Sequence, residues 1–287
     1  MTKQNISSLG QLEASVKEQA AKIQKTVKAR TQVLSEALVL VPKSFILKTE
    51  QLSATAKETH LSIYKNLVDS FNKISSRIDA IQKNDPRTNN PNDSDFRRDK
   101  LDEQHNLNGA KLHELYFSNI SDLNSDIRQD TIPYMRLVRD WGTFDAWQLD
   151  FRACGMNAME GWAVLFFDPY KQKYINTFIE RNTDNIPVGA IPVLVVDAHH
   201  HAWFFDYPGE KLEYMNAMMN EINWAVVEAR MLIAEMSQLH KLYMIEPVGA
   251  TETPKSIALT PFEPPIGKDK ITPTANVQVT TKPGPVQ

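Results

Sequence analysis

Cysteine is nearly missing from this chain of 287 residues; Cys154 is the only one. No intrachain disulfide can form, and a metal site built from thiolates alone is excluded. A reducing compartment is compatible with this usage. An excess of charge of one sign is also missing. The 32 Lys and Arg nearly balance 35 Asp and Glu, leaving a formal net charge of −3. No global field draws the chain to nucleic acid or to anionic lipid. Long hydrophobic runs are lacking too. The longest apolar stretches, residues 163–167 and 191–196, are strand-sized and well short of the roughly 20 residues of a membrane helix. The first 30 residues hold no apolar core of a secretory signal. They carry Glu13 and Glu18 and a single arginine, Arg30, unlike an Arg-rich presequence. The expectation is a protein of the cytoplasm or of a virion or other large particle, without a membrane segment.

Hydrophobic residues make up 42% of the chain, enough to bury a sizeable core. Residues 1–40 read as an N-terminal amphipathic helix. Leu9, Leu12, Val16, Ala20, Ile23, Val27 and Leu34 recur at three- and four-residue spacing, while Lys17, Lys22, Lys25 and Lys28 lie largely off that stripe. Such a helix can pack on its own domain, but so narrow a stripe better suits a helix-to-helix seam with a partner chain. Residues 41–128 read as a helical hairpin. Its first helix carries Leu52, Ile63, Leu67, Phe71, Ile74, Ile78 and Ile81 and stops at Asn84, Asp85 and Pro86. Polar residues 83–103 read as a long loop, with helix returning over 106–126. Residues 129–245 read as an α+β domain. Pro133 sits near the start of one helix, Thr143 caps the next, and strands follow at about 161–167, 174–180 and 191–196. Helix resumes through Leu212, Met215, Met218, Ile222, Val226 and Met231. The fold class is therefore α+β, a helical hairpin followed by a domain with a three-stranded antiparallel sheet and helices. Eight of the 16 prolines fall in residues 246–287, a Pro/Thr-rich tail that cannot fold alone.

The chemistry concentrates where a strand ends. Asp197 closes an apolar run, and His199, His200 and His201 follow. Residues four apart after a strand can point into one cavity, and a carboxylate with imidazoles suits a first-row metal. On their own, three consecutive histidines fit an exposed polar loop as well.

Residues 194–207, Leu-Val-Val-Asp-Ala-His-His-His-Ala-Trp-Phe-Phe-Asp-Tyr, resemble the C-terminal signature of iron/manganese superoxide dismutases, Asp-x-Trp-Glu-His-Ala-Tyr. Asn223 and Trp224 resemble that family's Asn-Trp pair, Gly161 and Trp162 its glycine-rich strand entry, and Trp141 to Phe144 its Phe-Gly-Ser-Phe helix start. His113, followed by Tyr116, Phe117 and Asn119, resembles the second-ligand helix. Leu52, Ser53 and Ala54, leading to His60, resemble the first. A shifted register would instead put Ala56 at the ligand position. The resemblance covers about two-thirds of the chain. It implies a dismutase-like fold and one iron or manganese ion per chain, held by His60, His113, Asp197 and His201. Zinc is a possible opportunist at such a donor set.

The surrounding residues depart from the family pattern. The glutamine that stands beside the bound solvent has two possible positions, matched here by Gly109 and Ala158. The gateway histidine and tyrosine fall at Tyr64 and Val68. The Trp-Glu pair becomes His199 and His200, and the tyrosine that joins the family's dimer bridge falls at Phe204. Tyr64, His199 and His200 are the candidates for the lost proton-handling groups, together with Asn157. Two functions follow. One is a structural component of a virion-type assembly built on a metal-binding, dismutase-like domain, with residues 5–38 and 246–287 binding other protein chains. The other is a free, active superoxide dismutase. A homo-oligomer or a larger assembly is expected, with no membrane and no nucleic acid partner.

Overall fold

Ser53 starts the first helix. Its hydroxyl accepts the Ala56 N–H, satisfying one of the donors that a helix N-terminus leaves free. In the computed structural model this helix, α1, spans Ala54–Ala80, and its buried face includes Ala56, His60, Tyr64, Val68, Phe71 and Ile78. The ligand candidate His60 therefore lies on the same four-residue stripe as the apolar core. The structure describes residues 39–92, 94–120 and 126–244. The N-terminal arm, apart from its last two positions, and the tail lie outside the described residues.

The second helix, α2, spans Asp95–Asn119 and runs against α1 as the expected hairpin. It begins earlier than the sequence suggests. Residues 95–103, expected as loop, are helical. Ser94 caps them by accepting the Arg97 N–H, and their polarity is used across the hairpin. Arg77 on α1 grips buried Asp99 with two bonds of 2.7 Å, and Lys100 reaches Glu103 one turn on.

The next helices, α3 (Ile132–Trp141) and α4 (Phe144–Asn157), meet at Gly142, whose φ of +86° suits glycine. Thr143 caps α4 as its sequence implies. Three strands follow, β1 (Gly161–Asp168), β2 (Lys173–Glu180) and β3 (Ile191–Asp197). They form an antiparallel sheet in the order β2-β1-β3. The central strand β1 is almost wholly buried, with α4 against β1 and β2 and with α2 against β3. Its first residue must be glycine, because a Cβ at Gly161 would collide with the Ile179 carbonyl. Trp162 then stands opposite Asp197 in the β1–β3 register.

After the sheet come the short helix α5 (His200–Trp203), α6 (Lys211–Asn220) and α7 (Trp224–Met236), followed by a 3-10 turn at Gln238–Met244. The single helical pattern expected from Leu212 to Met231 is broken at residues 221–223. Asn223 caps α7 by accepting the Val226 N–H and gives its own N–H to the Asn119 carbonyl. Polar geometry overrides the apolar spacing there.

Asn119 joins the hairpin to the sheet. Fully buried at the end of α2, its side-chain amide pairs with both backbone groups of Val195, donating to the carbonyl at 2.9 Å and accepting the N–H at 3.0 Å. It thus takes the place of a neighbouring strand on the free edge of β3. Arg230 adds bonds to the Asn119 side chain and to the Leu115 and Val193 carbonyls. Burial lowers its pKa to about 10, which leaves it charged at neutral pH.

Two outcomes test these contacts. Asn119→Ala orphans a buried N–H and C=O, and at about 1–3 kcal/mol per group it should cost about 2–6 kcal/mol in urea unfolding. Asp99→Asn should cost about 1 kcal/mol at pH 7, discounted because Arg77 is half exposed. The hydrogen bond from Arg77 holds the Asp99 carboxyl below its ordinary range. Its stabilisation is therefore complete above the unfolded value of about 3.9 and lost as pH falls through the lower folded value. The difference between mutant and wild type should shrink below about pH 4.

Candidate metal centre

Four side chains from four elements converge on one point. His60 comes from α1, His113 from α2, Asp197 from the end of β3 and His201 from α5. Their nearest ligand atoms all lie within 4.8 Å of one another. That spread is close to what a shared ion at about 2.0–2.3 Å produces. Asp197 Oδ2 is the hub, 2.9 Å from His60 Nε2, 3.2 Å from His201 Nε2 and 3.7 Å from His113 Nε2. His60, rather than Ala56, therefore supplies the α1 donor.

The hydrogen-bond directions leave two of these nitrogens open, while His60 Nε2 pairs with Asp197 Oδ2 at 2.9 Å. His113 Nδ1 is 2.7 Å from the Gly109 carbonyl, which can only accept, so the proton sits on Nδ1 and Nε2 keeps its lone pair. His113 Nε2 and His201 Nε2 are buried and have no hydrogen-bond partner among the described residues. Leaving such groups unsatisfied costs about 1–3 kcal/mol each. A metal cation removes that cost, and three imidazoles with one carboxylate match the donors that iron or manganese takes.

The electrostatics agree. Burial pushes His113 down to about 3, against the pull of Asp197, so it is the neutral ligand form at pH 7. Burial alone would raise the Asp197 carboxyl, but the imidazoles of His199 and His201 outweigh it and hold the group well below the usual carboxylate range. Burial works against charge on His201, and adjacent Asp197 overrides it, raising the pKa.

His199 serves the carboxylate from behind. Its backbone N–H and its Nδ1 both reach Asp197 Oδ1, at 2.9 and 2.8 Å. Oδ1 is thereby occupied, and Oδ2 faces the histidines. Tyr214 donates to the Asp197 carbonyl at 2.7 Å and stands 3.1 Å from the Tyr116 hydroxyl, with both phenols fully buried. The other three proton-handling candidates lie elsewhere, and Asn157, exposed at the end of α4, donates to the Ala153 carbonyl at 2.8 Å. Tyr64 accepts the Lys43 N–H and donates to Glu114, beneath the segment that precedes α1. His200 is exposed and stacks on Phe204 at 4.2 Å.

A cavity of about 260 Å³ adjoins the cluster, lined by His113, His199 and His201 and by Leu67, His105 and Asn182. The last two residues carry no metal-ligand motif. Asn182 follows β2 with φ of +62°, a conformation Asn tolerates better than most residues. It is buried, and its Oδ1 accepts the Trp162 indole N–H at 2.7 Å. Its Nδ2 lies only 2.7 Å from where a Cβ on Gly109 would be. An amide therefore does stand beside Gly109, delivered from the turn after β2. In the sequence, Asn182 reads only as a turn residue.

The comparisons with known proteins match this arrangement. Residues 134–230 fit the model of the C-terminal domain of iron/manganese superoxide dismutases. An iron superoxide dismutase of Aquifex pyrophilus is 31% identical over 183 residues, spanning 63% of this chain and 84% of that protein. The chain belongs to the iron/manganese superoxide dismutase family. The iron superoxide dismutase of Aquifex aeolicus is 30% identical over the same shares. A manganese superoxide dismutase of Haloferax volcanii is 27% identical over 126 residues, 44% of this chain and 62% of that one. Relatives of both metal types thus align with a dismutase-family donor set that fits one iron or manganese ion.

If His199 orients Asp197, His199→Phe should weaken metal affinity about 10–100-fold, as removal of an outer-shell partner does. Asp197→Ala should abolish binding. Competition titration with a chelator measures both. Unchanged affinity in His199→Phe would show that the two bonds to Oδ1 have no part in ligation.

Proposed function

We propose that this chain is an active superoxide dismutase that converts superoxide to dioxygen and hydrogen peroxide with one iron or manganese ion, held by His60, His113, Asp197 and His201. The observation that carries the proposal is the buried donor set with unpaired imidazole nitrogens facing one carboxylate. When bound, the ion would supply a one-electron couple, oxidising one superoxide and reducing a second. The protein's own residues do the rest. Asp197 and the neutral His113 set the charge of the site. Phe117 and Trp162 wall it against bulk water. The Asn182 amide takes the role that the family pattern gives to glutamine, while His199 fixes the carboxylate.

A role as a structural component of a virion or similar assembly has no support among the described residues, and the segments assigned to it, 5–38 and 246–287, lie outside them. A homo-oligomer is the simpler partner. Phe204 and Phe205, 47% and 54% exposed, flank the ligand helix α5, and a second copy seated there would cover them.

Purified protein loaded with iron or manganese should consume superoxide in pulse radiolysis, and Asp197→Ala should fall to the background of spontaneous dismutation. A folded, metal-loaded wild type with no rate above that background would reduce the domain to a scaffold.

A further inference from the structure

His105 lies outside the metal cluster, yet it holds the one amide that reaches Gly109. It sits on α2 eight residues before His113, half-buried on the cavity wall. Its Nδ1 is 2.7 Å from the Arg181 carbonyl. A carbonyl only accepts, so Nδ1 carries the proton and Nε2 is a bare acceptor. That Nε2 faces Asn182 Nδ2 at 3.3 Å. At the other end of the amide, the Trp162 indole can only donate, and it points at Oδ1 from 2.7 Å. The two anchors agree on one orientation. Oδ1 faces Trp162, one Nδ2 hydrogen goes to His105, and the second is left over beside Gly109 in the cavity.

The turn that carries the amide is under tension. Arg181 and Asn182 both have positive φ, +48° and +62°. A left-handed backbone costs an L-residue roughly 1–2 kcal/mol, somewhat less for Asn. His105 holds this turn twice, through the Arg181 carbonyl and through the Asn182 side chain. Strain kept in place by such double bonding beside a reactive centre is a mark of function.

We propose that His105 is a positioning residue. By accepting from Asn182 Nδ2 it locks the amide so that its second N–H is presented to the metal centre, and it thereby sets the ion's reduction potential through Asn182. The proposal rests on the dismutase reading, in which Asn182 stands in for the family's glutamine. It assigns the support of that amide to a histidine eight residues upstream of a ligand.

The test is the midpoint potential of the iron-loaded holoprotein, measured with metal content as a control. His105→Phe keeps a ring but removes the acceptor. It should shift the one-electron equilibrium about tenfold, about 59 mV, in the same direction as Asn182→Ala. The double variant should shift no further than the larger single one, because both act through one amide. His105→Gln, whose side-chain oxygen can accept from Nδ2, should recover most of the wild-type value. If Asn182→Ala shifts the potential and His105→Phe does not, the positioning role is overturned while the tuning amide stands. Additive shifts would also overturn it, since His105 would then act by another route. If neither variant shifts the potential, both the positioning role and the amide's tuning role fall. Shifts as expected in a holoprotein that does not dismutate superoxide would uphold the positioning and refute only the enzymatic function.

Discussion

The metal cluster exists only because a helix end and a sheet edge are held in register, and Asn119 holds them. Among the described residues the outer edge of β3 has no neighbouring strand, so its backbone groups need partners from elsewhere. The Asn119 side chain provides an amide with the same donor and acceptor as a peptide group. His113 lies six residues before it on α2, and Asp197 lies two residues beyond Val195. One pair of hydrogen bonds therefore sets the distance between two ligands. The Asn223 N–H on the Asn119 carbonyl ties α7 to the same point, and Arg230 reaches it from within that helix. Residues far apart in sequence are thus brought to a single polar knot inside an apolar core.

Around that knot the charges are arranged so that little is wasted. Asp197 is fully buried, which by itself would favour the neutral acid. Two bonds from His199 to one oxygen and the approach of His201 to the second keep it ionised. The Gly109 carbonyl decides which nitrogen of His113 is bare. No single one of these contacts is unusual. Their joint effect is a cage in which the unpaired Nε2 atoms of His113 and His201 lie beside one carboxylate oxygen.

Much of this is legible in the amino-acid order. The three strands lie within one residue of the limits suggested by their apolar runs, because a buried central strand must be apolar on both faces. Thr143 announces its helix because capping is local chemistry. The ligand histidines can be found through the resemblance, since they sit on regular elements at fixed spacing. Residues 95–103 look like loop because their polar side chains pair along the helix and, through Asp99, with Arg77 on α1, which apolar spacing does not reveal. The break at residues 221–223 is hidden for a similar reason: the Asn223 N–H is paired with a carbonyl more than 100 positions away. Asn182 and His105 escape notice altogether. One looks like turn chemistry and the other like a solvated helix residue, and only the folded chain puts them together.

Gly109 shows what such an arrangement imposes on the chain's own history. The space over its α-carbon is filled by an amide that arrives from a different strand. Any side chain at position 109 would have to evict that amide. Conversely, shortening residue 182 would open a hole that only a larger residue at 109 could close. The two positions share one space, so a change at either alters what fits at the other. A polar group can enter this site by the helix or by the turn, but never by both. Moving from one route to the other would require passing through a protein that has either a clash or a void next to its ligands.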